Sequence, residues 1–291
     1  MEQITKKQHF IPEFYLKNFC ADDGKLAVYN CKYNDFGDRK TPAQICYEKY
    51  LYETKVDPDS DAENFVLVNE VENNLRDKET IYRDCIARIL YTCSSTKDKR
   101  KDICSDDDIK ILNDFVANML LRNPLLYNKV DDSDLIRETL NSEDYVESIE
   151  FLTELTGYEP EAILRFILNL DSTDSDLKDS MANLLKKQIS KFGFTFFVSD
   201  NKRFVFGEFP FAIHMNKSNR FDKILIPLSP TCLLMYHRHP TCNKMIIVND
   251  YDVNVYNKLL SNISVSKSKR LFAQKEEDIE NVLKFRGEIN D

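Results

Sequence analysis

The chain has 291 residues, a formal net charge of −9 and 42% hydrophobic residues, with only 6 glycines and 9 prolines. These proportions are typical of a globular protein and exclude a disordered or fibrous chain. The acidic balance argues against a broad nucleic-acid or membrane surface, because binding to phosphates requires many uncompensated Lys and Arg side chains. Nucleic acid is therefore expected to bind only through a local basic groove. A membrane is not an expected partner, and a protein partner stays open.

Eight cysteines are spread along the chain without a Cys-x-x-Cys pair, and no secretory signal or long apolar run accompanies them. This pattern predicts reduced thiols and a cytoplasmic protein, and it disfavours a structural zinc site. The sequence has neither a Walker loop nor a dinucleotide-binding glycine motif. No nucleotide cofactor is therefore expected.

The first 60 residues combine a short helix with short strands. Pro12 fits the first turn of a helix that runs through Phe19, because a proline lacks the N–H that would be unpaired there. A strand is predicted over 25–32, a polar turn over 35–41 and a short edge strand over 50–52.

Helical spacing dominates the centre of the chain. Apolar residues recur with helical period over 61–92. Ser105 followed by Asp108 forms a capping box before a second helix, which Pro124 bends or ends. Further amphipathic helices are predicted over 134–155, 160–170 and 176–192.

The character of the chain changes after residue 192. Six short segments rich in aromatic and β-branched residues predict an antiparallel sheet, and helical spacing returns over 251–270 and 276–285. We therefore predict an α+β fold with a large central helical region, a C-terminal antiparallel sheet and packing helices. The chain is expected to form a single domain, residues 1–291, with lobes over 1–60, 61–192 and 193–291.

Five stretches of the sequence together resemble one known family. They are Gln8-His9-Phe10-Ile11-Pro12 continued by Phe14-Tyr15-Leu16 and Asn18-Phe19, the helix end at 115–124, the segment 204–210, Ile226-Pro227-Leu228-Ser229-Pro230 and the helix that contains Asn257. The family is the one catalogued as domain of unknown function 4238, and the resemblance covers nearly the whole chain. It implies no assigned reaction. Where the family shows Ser-Asp-Asn-Pro, this chain has Gly207-Glu208-Phe209-Pro210.

The charged residues in or near these stretches define the candidate site. His9 can act as acid, base or metal ligand near neutral pH, and the alternative is a structural histidine that ties down the N-terminal turn. Arg122 can bind a phosphate or carboxylate with its planar guanidinium, or pair internally with a helix carboxylate such as Glu72. Glu72 and Glu79 are seven residues apart and fall on one helix face. Glu208 ends a predicted strand before a proline, on a rigid loop that suits a functional acid.

Two functions remain open at this point. In the first, the protein is a metal-assisted hydrolase, either a nuclease or a phosphoesterase. In the second, it is a non-catalytic interaction or regulatory protein whose motif residues are architectural. The first requires the candidate residues to line one solvent-open cleft, whereas the second allows them to be buried and mutually paired. For the hydrolase, the ligands of Mg²⁺ or Mn²⁺ are drawn from His9, Glu72, Glu79 and Glu208, and the catalytic residues are His9, Arg122 and Glu208.

Overall fold

The protein is described here by a computed structural model. It covers residues 3–95, 103–124, 136, 139–140, 146–173, 180–201, 203–215, 221–238, 244–267 and 269–287. Helices and several sheets occur together within these residues, and the predicted α+β class is confirmed. Most of the first part of the helix predicted over 134–155, and the start of the helix predicted over 176–192, lie outside the described residues.

The N-terminal part consists of short strands around one short helix. The prediction of a turn over 35–41 was wrong, because these polar residues form an exposed edge strand that pairs with the strand before it. The edge strand predicted over 50–52 was also wrong, since Tyr50 has a φ of 54° that ends the preceding strand. The elements are β1 (Lys7–His9), α1 (Glu13–Lys17), β2 (Leu26–Asn30), β3 (Asp35–Lys40), a 3₁₀ turn (Pro42–Gln44), β4 (Tyr47–Lys49), β5 (Thr54–Lys55) and β6 (Phe65–Val66).

The central part is helical, as predicted. The long helix starts later than residue 61, because Leu67 and Asn69 have φ angles of 44° and 65° that a right-handed helix does not allow. The capping box is confirmed, since Ser105 Oγ accepts a hydrogen bond from the Asp108 N–H at 3.1 Å. The helices are α2 (Glu70–Ser95), α3 (Asp106–Leu121), α4 (Val146–Thr156), α5 (Pro160–Thr173) and α6 (Met181–Ile189).

The C-terminal part contains a five-stranded sheet with the order β12-β7-β11-β10-β9. Its pairs are antiparallel, as predicted, except that β12 runs parallel to β7. The helix predicted over 251–270 ends at Lys267, and Arg270, the last residue of the predicted range, begins a strand. The elements are β7 (Gly193–Val198), β8 (Phe206–Gly207), β9 (Ala212–Met215), β10 (Phe221–Ser229), β11 (Cys232–His237), β12 (Lys244–Ile247), α7 (Asp250–Lys267), β13 (Arg270–Ala273) and α8 (Glu276–Arg286).

A four-stranded sheet, β3-β2-β13-β8, joins strands from both ends of the chain. Strand β13 lies between β2 and β8 and is antiparallel to both. The largest cluster of buried apolar side chains includes Leu16 from α1, Phe115 from α3 and Phe272 from β13. Segments of all three predicted lobes therefore contribute to one core.

Candidate functional site

The N-terminal signature is fastened to the stretch 226–230 by hydrogen bonds. The Tyr15 hydroxyl donates to the Pro227 carbonyl, and the Asn18 side chain donates to the Leu228 carbonyl at 3.2 Å. Tyr15 is fully buried, so its hydroxyl needs a partner inside the protein. Helix α1 is therefore fixed against the end of β10.

Gln8 and Glu53 form a second buried attachment. The Gln8 side-chain nitrogen donates to Glu53 Oε1 at 2.6 Å, and its oxygen accepts from the Tyr52 N–H at 2.7 Å. The Glu53 carboxylate also accepts from the Asn69 N–H, at 3.2 and 3.3 Å to its two oxygens. Gln8 and Glu53 are 0% and 3% exposed, so these bonds replace the water that both groups lose on burial. They hold β1 against the residue that precedes α2.

Arg122 is the centre of the polar network. It follows the last residue of α3 and is 2% exposed. Its Nη1 donates to Glu79 Oε1 at 3.0 Å, its Nη2 to the His9 carbonyl and its Nε to the Tyr52 hydroxyl at 3.4 Å. Burial lowers the pKa of Arg122, but the nearby Tyr52, Glu79 and Glu72 raise it by more. The guanidinium is therefore charged and uses all three of its nitrogens within the protein.

Glu72 is the least satisfied member of this network. Its Oε2 is buried and has no hydrogen-bond partner among the residues that the structure describes. The pKa of Glu72 is raised to about 7, chiefly by burial; Arg122 opposes this rise, and Glu79 and Glu53 contribute to it. Glu72 consequently exchanges its proton close to neutral pH, unlike an ordinary surface carboxylate.

The ring of His9 lies beside the Glu13 carboxylate and the Tyr47 ring. Its Nε2 is buried and lies 3.8 Å from Glu13 Oε1, and within the described part of the chain it has no hydrogen-bond partner. The ring packs edge-on against Tyr47, with 5.5 Å between the ring centroids. Burial lowers the pKa of His9, and Glu13 only partly offsets this effect. The ring is therefore mostly neutral at pH 7, and it is the His9 main chain that binds Arg122.

The Glu208 carboxylate forms a separate ion pair. Its Oε1 accepts hydrogen bonds from Nε and Nη2 of Arg270, both at 2.7 Å, and its Oε2 accepts from the Lys269 N–H at 2.9 Å. The Glu208 carbonyl accepts from the Asn123 side chain at 2.7 Å. The main chain of Glu208 thus lies beside the end of α3, while its carboxylate binds the start of β13.

The structure brings together four of the five candidate residues. Arg122, Glu79 and the His9 main chain are in direct contact, and Glu72 lies beside them. Among the residues that the structure describes, no group of three His, Cys, Asp or Glu side chains is arranged to hold a metal ion. Tyr52 and Glu53 were not among the candidate residues, because the turn that buries them carries no recognisable sequence signal.

The fold and the network define an α+β protein with a buried polar junction between its N-terminal strand and two helices. Residues 7–277 match the family described as "Protein of unknown function (DUF4238)", so the chain belongs to this family and the resemblance seen in the sequence is confirmed. No curated protein and no solved structure matches the chain significantly. None of the helices in the described part of the chain is both long and apolar enough to cross a membrane.

The burial of Arg122 predicts a large difference between two arginine variants. We expect Arg122→Leu to lower the free energy of unfolding by about 3–5 kcal/mol, because it leaves the buried carboxylates without their cation. Arg88→Leu is the control, since Arg88 pairs with Asp108 but is 57% exposed, and we expect it to cost about 0–1 kcal/mol. Urea denaturation measures both values. Equal losses in the two variants would contradict the central role of Arg122.

The raised pKa of Glu72 predicts a pH dependence of stability. The pKa is about 7 in the folded protein and ordinarily 4.5, so the folded protein binds this proton more tightly than the unfolded chain does. The resulting stabilisation of the fold is complete below pH 4.5 and is lost as the pH rises through 7. We expect Glu72→Gln to be more stable than wild type at pH 8, by on the order of 1–3 kcal/mol, and similar to it at pH 4.5.

Glu79→Gln is the matched control for this experiment. It removes the carboxylate that binds Arg122 directly, so we expect it to destabilise the protein at pH 8. Thermal denaturation of wild type, Glu72→Gln and Glu79→Gln between pH 4.5 and 8 compares the three proteins. A Glu72→Gln variant that loses as much stability at pH 8 as Glu79→Gln would show that Arg122 requires both charges.

Proposed function

We propose that this protein is a non-catalytic binding protein whose motif residues are architectural. One observation carries the proposal: the charged side chains of Arg122 and Glu208, both in motif stretches, are bound by other groups of the protein. Arg122 uses its nitrogens on Glu79, Tyr52 and the His9 carbonyl, and the Glu208 carboxylate is bound by Arg270. A substrate would have to break these buried contacts before it could bind the same groups.

Asn257, in the last of the family-like stretches, follows the same pattern. It is 2% exposed, and its Oδ1 accepts from the Val205 N–H at 2.9 Å. Its Nδ2 donates to the Arg203 carbonyl, also at 2.9 Å. The side chain therefore replaces backbone pairing in the segment before β8, which is a structural role.

The metal-assisted hydrolase is the competing proposal. It is favoured by two buried ligand atoms without hydrogen-bond partners, Nε2 of His9 and Oε2 of Glu72. It is disfavoured by the burial of Arg122 and by the ion pair of Glu208 with Arg270, because neither residue is open to a phosphate or a metal. The balance of these contacts supports the binding protein.

The binding surface that we assign is a groove made of two adjoining concavities. Their volumes are about 830 and 400 Å³, they share Arg203 and Gln274, and both volumes are typical of small-molecule sites. Ser199 lines the larger concavity, and its Oγ is buried with no hydrogen-bond partner in the described ranges. Asn201 and Asn254 line the smaller one. Amides, hydroxyls and charges of both signs suit a small polar ligand such as a sugar or a nucleoside.

The proposed location is the cytoplasm. The seven cysteines within the described residues are all free thiols. Disulfides are rare in reducing compartments, so free thiols support this location.

Calorimetry with metal ions separates the two functions. We expect titration of Mn²⁺ or Mg²⁺ into the wild-type protein to give no saturable heat, and DNA, RNA and p-nitrophenyl phosphate to stay intact. His9→Ala and Glu208→Ala are titrated in parallel, with circular dichroism as the check of folding. Saturable binding in wild type that disappears in both folded variants would place the two residues in one metal site and overturn the binding-protein proposal.

The groove is tested by a thermal-shift screen with monosaccharides, nucleosides and amino acids. We expect at least one compound to raise the Tm of the wild-type protein. Its affinity for Arg203→Ala should fall about tenfold or more, because a charged hydrogen-bond donor is lost. Arg83→Ala is the control, since Arg83 is 57% exposed and does not line the groove. Equal binding to Arg203→Ala and Arg83→Ala would place the ligand elsewhere.

A further inference from the structure

Two cysteines that are distant in sequence meet at the wall of the groove. Cys93 lies in the last turn of α2, and Cys232 is the first residue of β11. Their thiols are in side-chain hydrogen-bond contact, and both residues line the concavity of about 830 Å³. They are 5% and 2% exposed, so the groove is the route by which a small reagent reaches them.

The contact makes the two thiols unequal. The hydrogen bond from Cys232 lowers the pKa of Cys93, because it stabilises the Cys93 thiolate. The same hydrogen bond, together with burial, raises the pKa of Cys232. Burial also raises the pKa of Cys20, and it raises that of Cys85 to about 12. Cys93 is therefore better placed than these cysteines to act as a thiolate nucleophile.

We propose that Cys93 and Cys232 are a modification site, a thiol pair that a hydroperoxide oxidises to a disulfide at the wall of the groove. The Cys93 thiolate attacks the distal oxygen of the hydroperoxide, the O–O bond breaks, and the other oxygen leaves and takes up a proton. The resulting Cys93 sulfenic acid is attacked by the Cys232 sulfur. The S–O bond breaks, and the oxygen leaves as water with the thiol proton of Cys232.

The overall change balances without a further reagent. Two thiols and one hydroperoxide give one disulfide, one alcohol or water from the peroxide, and one water. The two electrons removed from the sulfurs reduce the O–O bond. The disulfide would fix the end of α2 to β11, and this inference goes beyond the binding role and does not depend on it.

The test uses the full-length reduced protein and hydrogen peroxide. After treatment with a stoichiometric amount, we expect the intact mass to fall by two hydrogen atoms. Digestion without reductant should give one peptide pair joined through Cys93 and Cys232, and dithiothreitol should separate it. This mapping needs only the wild-type protein, so the folding of any variant does not affect it.

Variants establish the order of the two steps. In Cys232→Ser we expect a sulfenic acid at Cys93, trapped as its dimedone adduct, with no disulfide. In Cys93→Ser we expect Cys232 to stay reduced, because it has lost the thiolate that reacts first. Oxidation at Cys232 in that variant would overturn the assignment of Cys93 as the attacking thiol.

Cys20 provides the internal control for accessibility. It is half-buried and thus more open to solvent than either member of the pair, but its thiol contacts the Leu16 carbonyl rather than another thiol. If exposure alone decided the reaction, Cys20 would oxidise first. Oxidation of Cys20 while Cys93 and Cys232 stay reduced would overturn the proposal, and so would a disulfide that joins either of them to Cys242.

Discussion

The buried charge of Arg122 is the constraint on which the rest of the structure depends. Moving a guanidinium out of water costs several kcal/mol, so it is stable only where anions and carbonyl oxygens surround it. Glu79 and Glu72 from α2, together with Tyr52 and the His9 carbonyl from the N-terminal part, meet this requirement at the end of α3. One charge therefore fixes three segments that are far apart in sequence.

The same constraint explains why the carboxylates of the network differ. Glu72 and Glu79 lie beside one guanidinium and Glu53 lies near Glu72, and like charges in a poorly solvated site oppose one another. Hydrogen-bond donors from Gln8 and the Asn69 main chain stabilise Glu53, and Arg122 binds Glu79 directly. Glu72 has neither kind of partner for its buried oxygen, so it is the carboxylate whose pKa rises.

Features that depend on residues close together in the sequence were predicted correctly. Features that depend on pairing between distant segments were missed. The capping box at Ser105 was visible because its partners are three residues apart. Strand β13 was not predicted, because its strand character comes from pairing with β2, from the other end of the chain. Glu208 was a candidate residue because it lies in one of the family-like stretches. Its partner Arg270 was not predicted, because only the folded sheets bring the two together.

The architectural residues and the groove are physically connected. Asn18 binds the Leu228 carbonyl and also lines the larger concavity, and Asn257 binds main-chain groups of the segment before β8 and lines the smaller one. Because the side chains that hold the segments together also form the walls of the groove, a change at either asparagine alters the shape of the groove as well as the stability of the fold. A fixed wall also holds a ligand-binding group in place before the ligand arrives, which reduces the entropy lost on binding. In the proposed binding function, the motif residues would therefore act by holding the walls of the groove in place and would take part in no reaction.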